Sequence, residues 1–437
     1  MKRVVIVNPD FAPSSYPPAL RVRFIAQHLP EFGYSPVILA TDPVYYEWPV
    51  DPEVSELVPK WMHVIRTGAL PAGLTRKLGV GDLGLRSLWH LYRALNGLCR
   101  QRDVDLVFVH VGPYFPMLLG RLMCERYGIP YVIDYEDRWA NDFYLSRPRS
   151  EWPPKWLPYY LLARILEPIA LKKVAHVVAV SAQMAANIIR PYRWLSESDT
   201  SAIPFGAEPA DFDYVRQHPR KNPIFDPQDG LVHVSYVGRG GPDIMPGARV
   251  VFEAIKAGLQ RSPELFGRMR LHLVGTTYDP NSQEAPMQAV AVEMGLGDLV
   301  SEQPARVSYL DAMQILLDSH ALVLIGSIEA QYTASKVFPY ILSQRPLLAL
   351  FHEASSVVQI IREVNAGEVI TFSEERDLAT RVDAVGQSLE RLLRLPSETK
   401  PDIDWDVLEA YTARGVCREF ATIFDDVLGH ERVVDAR

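Results

Sequence analysis

Residues 321–350 read ALVLIGSIEAQYTASKVFPYILSQRPLLAL, and the fold turns on this stretch. Ala321–Ile325 is a short apolar run, the pattern of a strand buried on both faces of a parallel sheet. A polar loop follows, in which Thr333 or Ser335 is placed to cap a helix starting near Lys336. Arg345-Pro346 then leads into a second apolar run, Leu347–Leu350. Strand, loop, helix and strand make one βαβ unit, which sets Ser335 and Lys336 at the carboxyl edge of a sheet. Open α/β sheets bind their ligands there. A lysine beside a helix N-terminus suits a phosphate; the plainer alternative is a solvated lysine in a first helical turn.

The same alternation runs outward in both directions. Upstream, Val232–Val237 feeds Gly238-Arg239-Gly240-Gly241-Pro242, a glycine-rich turn that lets backbone N–H groups approach a phosphate. Leu271–Val274 with Gly275 is another strand and turn, and Val369-Ile370 follows downstream. The N-terminal half repeats the pattern. Val4–Val7 is a strand, residues 8–18 form a Pro- and Ser-rich loop, and a helix begins near Ala19 with Leu20, Phe24, Ile25 and Leu29 on its apolar face. Gly33 ends it, and Val37–Ala40 is the second strand. Asp105–His110, Tyr131–Asp134 and Val174–Val180 continue the series, and Ser181 starts the next helix. Two such series, joined by a Pro-containing linker at Lys221–Gly230, predict two Rossmann-like domains at about residues 1–205 and 225–405. Trp405–Leu428 reads as a pair of helices.

Asp134 runs into Tyr135-Glu136-Asp137-Arg138-Trp139. A carboxylate at the carboxyl end of a strand can orient a hydroxyl or take its proton, which makes Asp137 the first catalytic candidate and Glu136 the second. The alternative for each is a hydrogen bond bracing the loop. His110 ends its strand in the same way, either as a site residue or with a backbone partner.

Composition narrows the classes. At 437 residues the chain exceeds one ordinary core, and 48% hydrophobic with 22% charged residues is a globular balance. A net charge of −8 argues against general nucleic-acid binding. Cys99, Cys124 and Cys417 lack metal or disulfide spacing, as in a reducing compartment. Neither a signal peptide nor an apolar run of membrane-spanning length is present, so a cytoplasmic protein is expected, with any membrane contact peripheral. Helix Leu85–Arg102 places Leu85, Leu88, Trp89, Tyr92, Leu95 and Cys99 on one face. Arg86, His90, Arg93 and Arg100 lie beside them, with Arg76 and Lys77 upstream, so the helix either covers the sheet or touches anionic lipid headgroups. Trp152–Lys173 is a second aromatic and basic region.

Several of these motifs resemble those of GT-B glycosyltransferases, most closely the retaining family-four enzymes. Ser335-Lys336-Val337-Phe338-Pro339-Tyr340 with Arg345-Pro346-Leu347-Leu348-Ala349 is similar to their S-K-hydrophobic-F-E-Y … G-K-P-hydrophobic-hydrophobic-A block. Pro339 stands where the family has a ribose-binding glutamate. The other glutamate of the family's Glu-x7-Glu pattern falls at Gln331, with Glu329 close by. Gly128–Asp134, Asp134–Trp139 and Ser201–Phe212 resemble three further family blocks, and Gly238-Arg239 resembles a phosphate-binding step whose lysine is replaced by Ile244.

The resemblance implies an α/β GT-B fold, two Rossmann-like domains facing a cleft, with a C-terminal helix at about residues 410–437 crossing back to the first. It implies transfer of a sugar from a nucleoside-diphosphate sugar to an acceptor hydroxyl in glycan, glycolipid or polysaccharide assembly. The donor would lie on Gly238, Arg239, Gly240, Ser335, Lys336, Tyr340 and Glu329, and a glycan or lipid-linked acceptor near Ser14, Ser15, Arg21 and His110. Ser14 and Ser15 equally suit a helix cap. No cofactor and no metal is implied, since no Asp-x-Asp or histidine cluster suits one. A GT-B-shaped protein that has lost catalysis and serves as a binding partner is the second reading. A nicotinamide-dependent oxidoreductase is disfavoured, because no Gly-x-Gly-x-x-Gly follows the first strand.

Overall fold

The computed structural model describes residues 1–434 apart from Tyr278, Pro280, Asn281, Gln331 and Thr333. The cap expected of Thr333 and the family position at Gln331 therefore lie outside the described residues. The chain divides into two compact units, one of Met1–Gly206 with the segment from Ala413 onward, the other of Ala207–Thr412.

The first unit holds a seven-stranded parallel sheet of β1 (Lys2–Val7), β2 (Tyr34–Thr41), β3 (His63–Thr67), β4 (Leu106–Val111), β5 (Tyr131–Tyr135), β6 (His176–Ala179) and β7 (Thr200–Ala202). Its order is β3-β2-β1-β4-β5-β6-β7. The second unit holds β8 (Val232–Val237), β9 (Met269–Val274), β10 (Val300–Gln303), β11 (Ala321–Ile325), β12 (Leu347–His352) and β13 (Glu368–Phe372), in the order β10-β9-β8-β11-β12-β13. Each sheet reverses direction once, between β1 and β4 and between β8 and β11. Those switch points are where doubly wound sheets open a crevice for ligands.

Burial on both faces explains the apolar runs. Val5, Val7, Val107 and Val109 share one core with Leu91, Leu95 and Met117. On the opposite face Phe108 meets Phe420 and Phe424 at ring-centre distances of 5.3 and 5.6 Å. Both phenylalanines belong to helix Ala413–Val434, which packs against helix Pro17–His28. Polar ties finish this docking: Lys2 pairs with Asp425 at 2.9 Å and Arg414 with Glu31 at 2.7 Å. No helix among the described residues is long and apolar enough to cross a membrane.

Three local expectations change. The Lys221–Gly230 stretch is anchored within the second unit rather than free as a linker. Arg220 pairs with Asp311 at 2.7 Å, and Phe225 stacks on His233 and His272 at 4.2 and 4.8 Å. The helix expected at Leu85–Arg102 spans Leu83–Arg100, because the Asp82 carboxylate accepts the Leu85 N–H at 2.7 Å and caps it early. Its faces are also rotated from the expected ones. Trp89 is 62% exposed and Leu91 is buried. Arg86 is buried as well, donating to the carbonyls of Leu70 and Tyr45 at 3.0 Å each and to Glu47 at 3.1 Å. Arg76 pairs with the same glutamate at 2.8 Å. The basic stripe thus loses Arg86 to the core, and Arg76 is neutralised.

Candidate functional site

At the switch point of the second sheet, the loop after β8 and the segment after β11 come together. The Lys336 side chain lies directly across Gly238. A Cβ on that glycine would sit 2.6 Å from both Lys336 Cδ and Nζ, so glycine is required for the lysine to lie there. The ammonium donates to the Tyr236 hydroxyl at 2.5 Å and lies 4.0 Å from the centre of that ring. Tyr236 in turn donates to the Arg239 carbonyl at 2.6 Å. Lys336 has no ion-pair partner among the described residues, and desolvation, then the Arg239 charge, press its pKa well below the ordinary lysine value. A desolvated cation without a counter-ion is a site prepared for an anion.

The other donor candidates surround this lysine in different states. Arg239 is committed: its guanidinium grips Asp243 through two bonds of 2.9 and 2.7 Å and stacks over Tyr332 at 4.7 Å. Asp243 holds its pKa above the usual arginine range. The amides expected to face a phosphate are spent inside the fold, Gly238 N–H on the Val274 carbonyl at 2.9 Å and Gly240 N–H on that of Thr276 at 2.7 Å. The glycine turn is therefore tethered to β9, and the expectation for its amides is corrected. Tyr340 is buried, and its hydroxyl accepts the Val237 N–H at 2.6 Å and donates to the Val237 carbonyl at 3.2 Å. It is a strut holding the end of β8. Ser335 is half-buried and does not cap helix Val337–Leu342, whose first turn follows Lys336 without a side-chain cap. Glu329 is exposed, with its N–H on Ser327 Oγ at 3.0 Å.

The first sheet carries a buried charge relay at its own switch point. His110 and Asp134 are register partners on β4 and β5, so they project from one face. His110 Nδ1 lies 2.7 Å from Asp134 and Nε2 3.0 Å from Glu136. Asp134 receives Arg21 Nε at 2.7 Å and Nη2 at 2.9 Å. Burial works against a charged His110, yet Asp134 and Glu136 outweigh it and raise its pKa to about 9. For Asp134 burial is again opposed, chiefly by Arg21, and the result is a pKa lowered to about 2. The relay is Arg21⁺–Asp134⁻–His110⁺–Glu136⁻, electroneutral and buried except at its Glu136 end.

Arg21 is thereby removed from the acceptor candidates. It is fully buried, and it also donates to the carbonyls of Pro204 at 2.7 Å and Ile203 at 2.9 Å. The adjacent Arg23 is buried too. Ser14 is buried, donating to Asp10 Oδ2 at 3.1 Å and accepting the Tyr16 N–H at 3.3 Å. Neither Ser14 nor the half-buried Ser15 caps the helix, whose cap position is Tyr16 without a side-chain bond. Asp137 stands apart from the relay. It is exposed and has no hydrogen-bond or ion-pair partner among the described residues. Although its surface meets solvent, the protein mass around it raises its pKa, and the Glu136 charge adds to this.

Two residues that the sequence reading passed over belong here. Asp134 was read only as a strand end, and pairing β4 with β5 would have exposed its link to His110. Asp10 is buried, its Oδ1 lacks a hydrogen bond, and desolvation raises its pKa to about 7, with Ser14 opposing and Glu136 assisting. Nothing local in the sequence marks it.

Residues 18–206 match the family model described as the glycosyl transferase 4-like domain. No curated protein sequence matches the chain significantly. Among solved structures, a trehalose 6-phosphate synthase from Burkholderia multivorans is 15% identical with a TM-score of 0.61, covering 99% of this chain and 100% of that one. Sucrose-phosphate synthase from Thermosynechococcus elongatus is 13% identical at a TM-score of 0.59, covering 98% and 100%. HepE of Anabaena, solved with UDP and glucose, is also 13% identical at 0.59, with the same coverage. By these marks the chain has the GT-B fold, and its residues 18–206 match the glycosyl transferase 4-like domain.

Proposed function

We propose that the second unit binds a UDP-sugar and that the first presents an acceptor hydroxyl, the product being a glycan, glycolipid or polysaccharide precursor. The observation carrying this reading is Lys336, an ammonium without a counter-ion laid across Gly238 at the switch point of the second sheet. HepE, with the same fold, is known with UDP-glucose bound. Developing charge on the departing diphosphate is met by Lys336, with the Arg239–Asp243 pair holding the turn beside it. Preorganised charge of this kind is the largest contribution an acyl- or glycosyl-type transfer site makes. In this reading no metal takes part, and the sugar keeps its anomeric configuration, as the family-four resemblance implies.

In the first unit the relay leaves one carboxylate uncommitted. Glu136 gives an oxygen to His110, whereas Asp137, exposed and with a raised pKa, is the better group to take or orient a hydroxyl proton. The test is UDP release from UDP-glucose with candidate acceptors, run on wild type and Asp137→Asn. Turnover should fall by roughly 100-fold, while UDP affinity and the melting curve stay unchanged. A variant that melts lower yet turns over normally would return Asp137 to the role of a loop brace.

A further inference from the structure

Helix Trp156–Leu171 lies on the surface of the first unit, and its outward face is largely apolar. Leu157, Leu161, Ile165 and Ile169 follow one another at intervals of four and are 39, 54, 62 and 48% exposed; Leu162, at 39%, widens the stripe. Four-residue spacing places these side chains in one continuous row. The inward face holds Tyr160, Ala163, Glu167, Ala170 and Leu171. Glu167 is the helix's acidic residue, and it is buried, taken by Tyr192 at 2.6 Å and Arg138 at 3.4 Å. The exposed charges at the ends and flank are all positive: Lys155 ahead of the helix, Arg164 within it, Lys172 and Lys173 after it. Nearby acids are already engaged, Glu151 with Arg147 at 3.2 Å and Asp142 with Tyr160 at 2.5 Å.

A row of exposed leucine and isoleucine, flanked on its own helix and at both ends by cations, narrows the partner. A second copy of this face would meet it with like charge. Water leaves the apolar row unsatisfied. A surface that is anionic outside and hydrocarbon beneath satisfies both at once, with the cations among headgroups and the row at the acyl boundary. We propose that helix Trp156–Leu171 docks the first unit on anionic phospholipid. The chain's net charge of −8 opposes such contact in general, so attachment is confined to this one face. The helix lies in the membrane plane and does not span it.

The test is flotation of the full chain with phosphatidylcholine vesicles, with and without phosphatidylglycerol. Wild type should float only with phosphatidylglycerol, and less as salt rises. Leu161→Glu with Ile165→Glu should lower partitioning roughly tenfold or more, and Lys172→Glu with Lys173→Glu should abolish the preference for the anionic lipid. A second measurement does not depend on those variants folding. An environment-sensitive dye on Ile165→Cys should shift to the blue on anionic vesicles, and the same dye on the exposed Val292→Cys of the second unit should not. Equal flotation of wild type and the glutamate pair, or an unshifted dye at 165, overturns the proposal. So does a dimer of wild type that the glutamate pair splits.

Discussion

Asp10 shows how much can be concentrated in one side chain. One oxygen takes the Ser14 hydroxyl, the other is buried without a partner, and the pKa rises to about 7. A carboxyl whose folded pKa lies above its unfolded value costs stability once the unfolded chain ionises. Between about pH 4 and 7 the folded state holds the proton that the unfolded state has lost, so stability falls as pH rises through that window. Asp10→Asn removes the cost. Its melting point should match wild type near pH 4 and exceed it at pH 8 by the equivalent of roughly 1–3 kcal/mol; an unchanged difference at both values would mean that Asp10 is already solvated. His110 runs the other way. Its raised pKa of about 9 contributes stability below about pH 6.5 that is lost as pH climbs through 9. Residues of this kind were only partly legible in the sequence. Glu136, Asp137, His110 and Lys336 announced themselves by ending strands or opening a helix. Arg21 takes its role from Asp134, 113 positions away, and Asp10 takes its from burial, neither of which a local pattern encodes.

The informative element is the turn after β8. The sequence pattern placed β8 and β11 with the residues they occupy. β11 is the unbroken apolar run of a fully buried parallel strand, whereas β8, VHVSYV, carries His233 and Ser235 into the interior and was marked by its valines and the glycine turn after it. The turn's chemistry was less readable. Its glycines suggested amides aimed at a phosphate, but those amides are tethered to β9, and Gly238 serves instead to leave room for Lys336. Gly238→Ala tests this. The atoms that a methyl group would strike are the far end of a flexible side chain, so the lysine would swing aside, while the φ of +159° adds backbone strain for any L side chain. UDP affinity, read at a temperature where the variant remains folded, should drop about as far as in Lys336→Ala, and the melting point should fall somewhat. Retained affinity would show that the lysine need not lie across the glycine. The helix at Leu83–Arg100 teaches the complementary lesson. Its amphipathic period was plain, yet the rotation of its faces was set by an arginine that the core accepts with four hydrogen-bond acceptors around it.

For the whole molecule, two Rossmann-type sheets follow from two series of apolar runs, and the last helix is the part that ties distant sequence together. Phe420 and Phe424 close the face of the first sheet over Phe108, and Tyr34 adds an edge contact to Phe424 at 5.5 Å. Phe424→Ala should therefore destabilise the first unit by about 3–5 kcal/mol without altering UDP affinity in the second, as urea unfolding and nucleotide titration would show. A loss of UDP binding at a temperature where both units remain folded would contradict this separation. The account stands on a charge site in the second unit that awaits a diphosphate, and calorimetry reads it most directly. UDP should bind wild type, and salt should weaken that binding, because a desolvated ammonium without an ion-pair partner among the described residues attracts the diphosphate. Lys336→Met should weaken binding by about 1.5–3 kcal/mol and lessen the salt dependence. Undiminished UDP affinity in Lys336→Met, or no UDP binding by wild type, would contradict it.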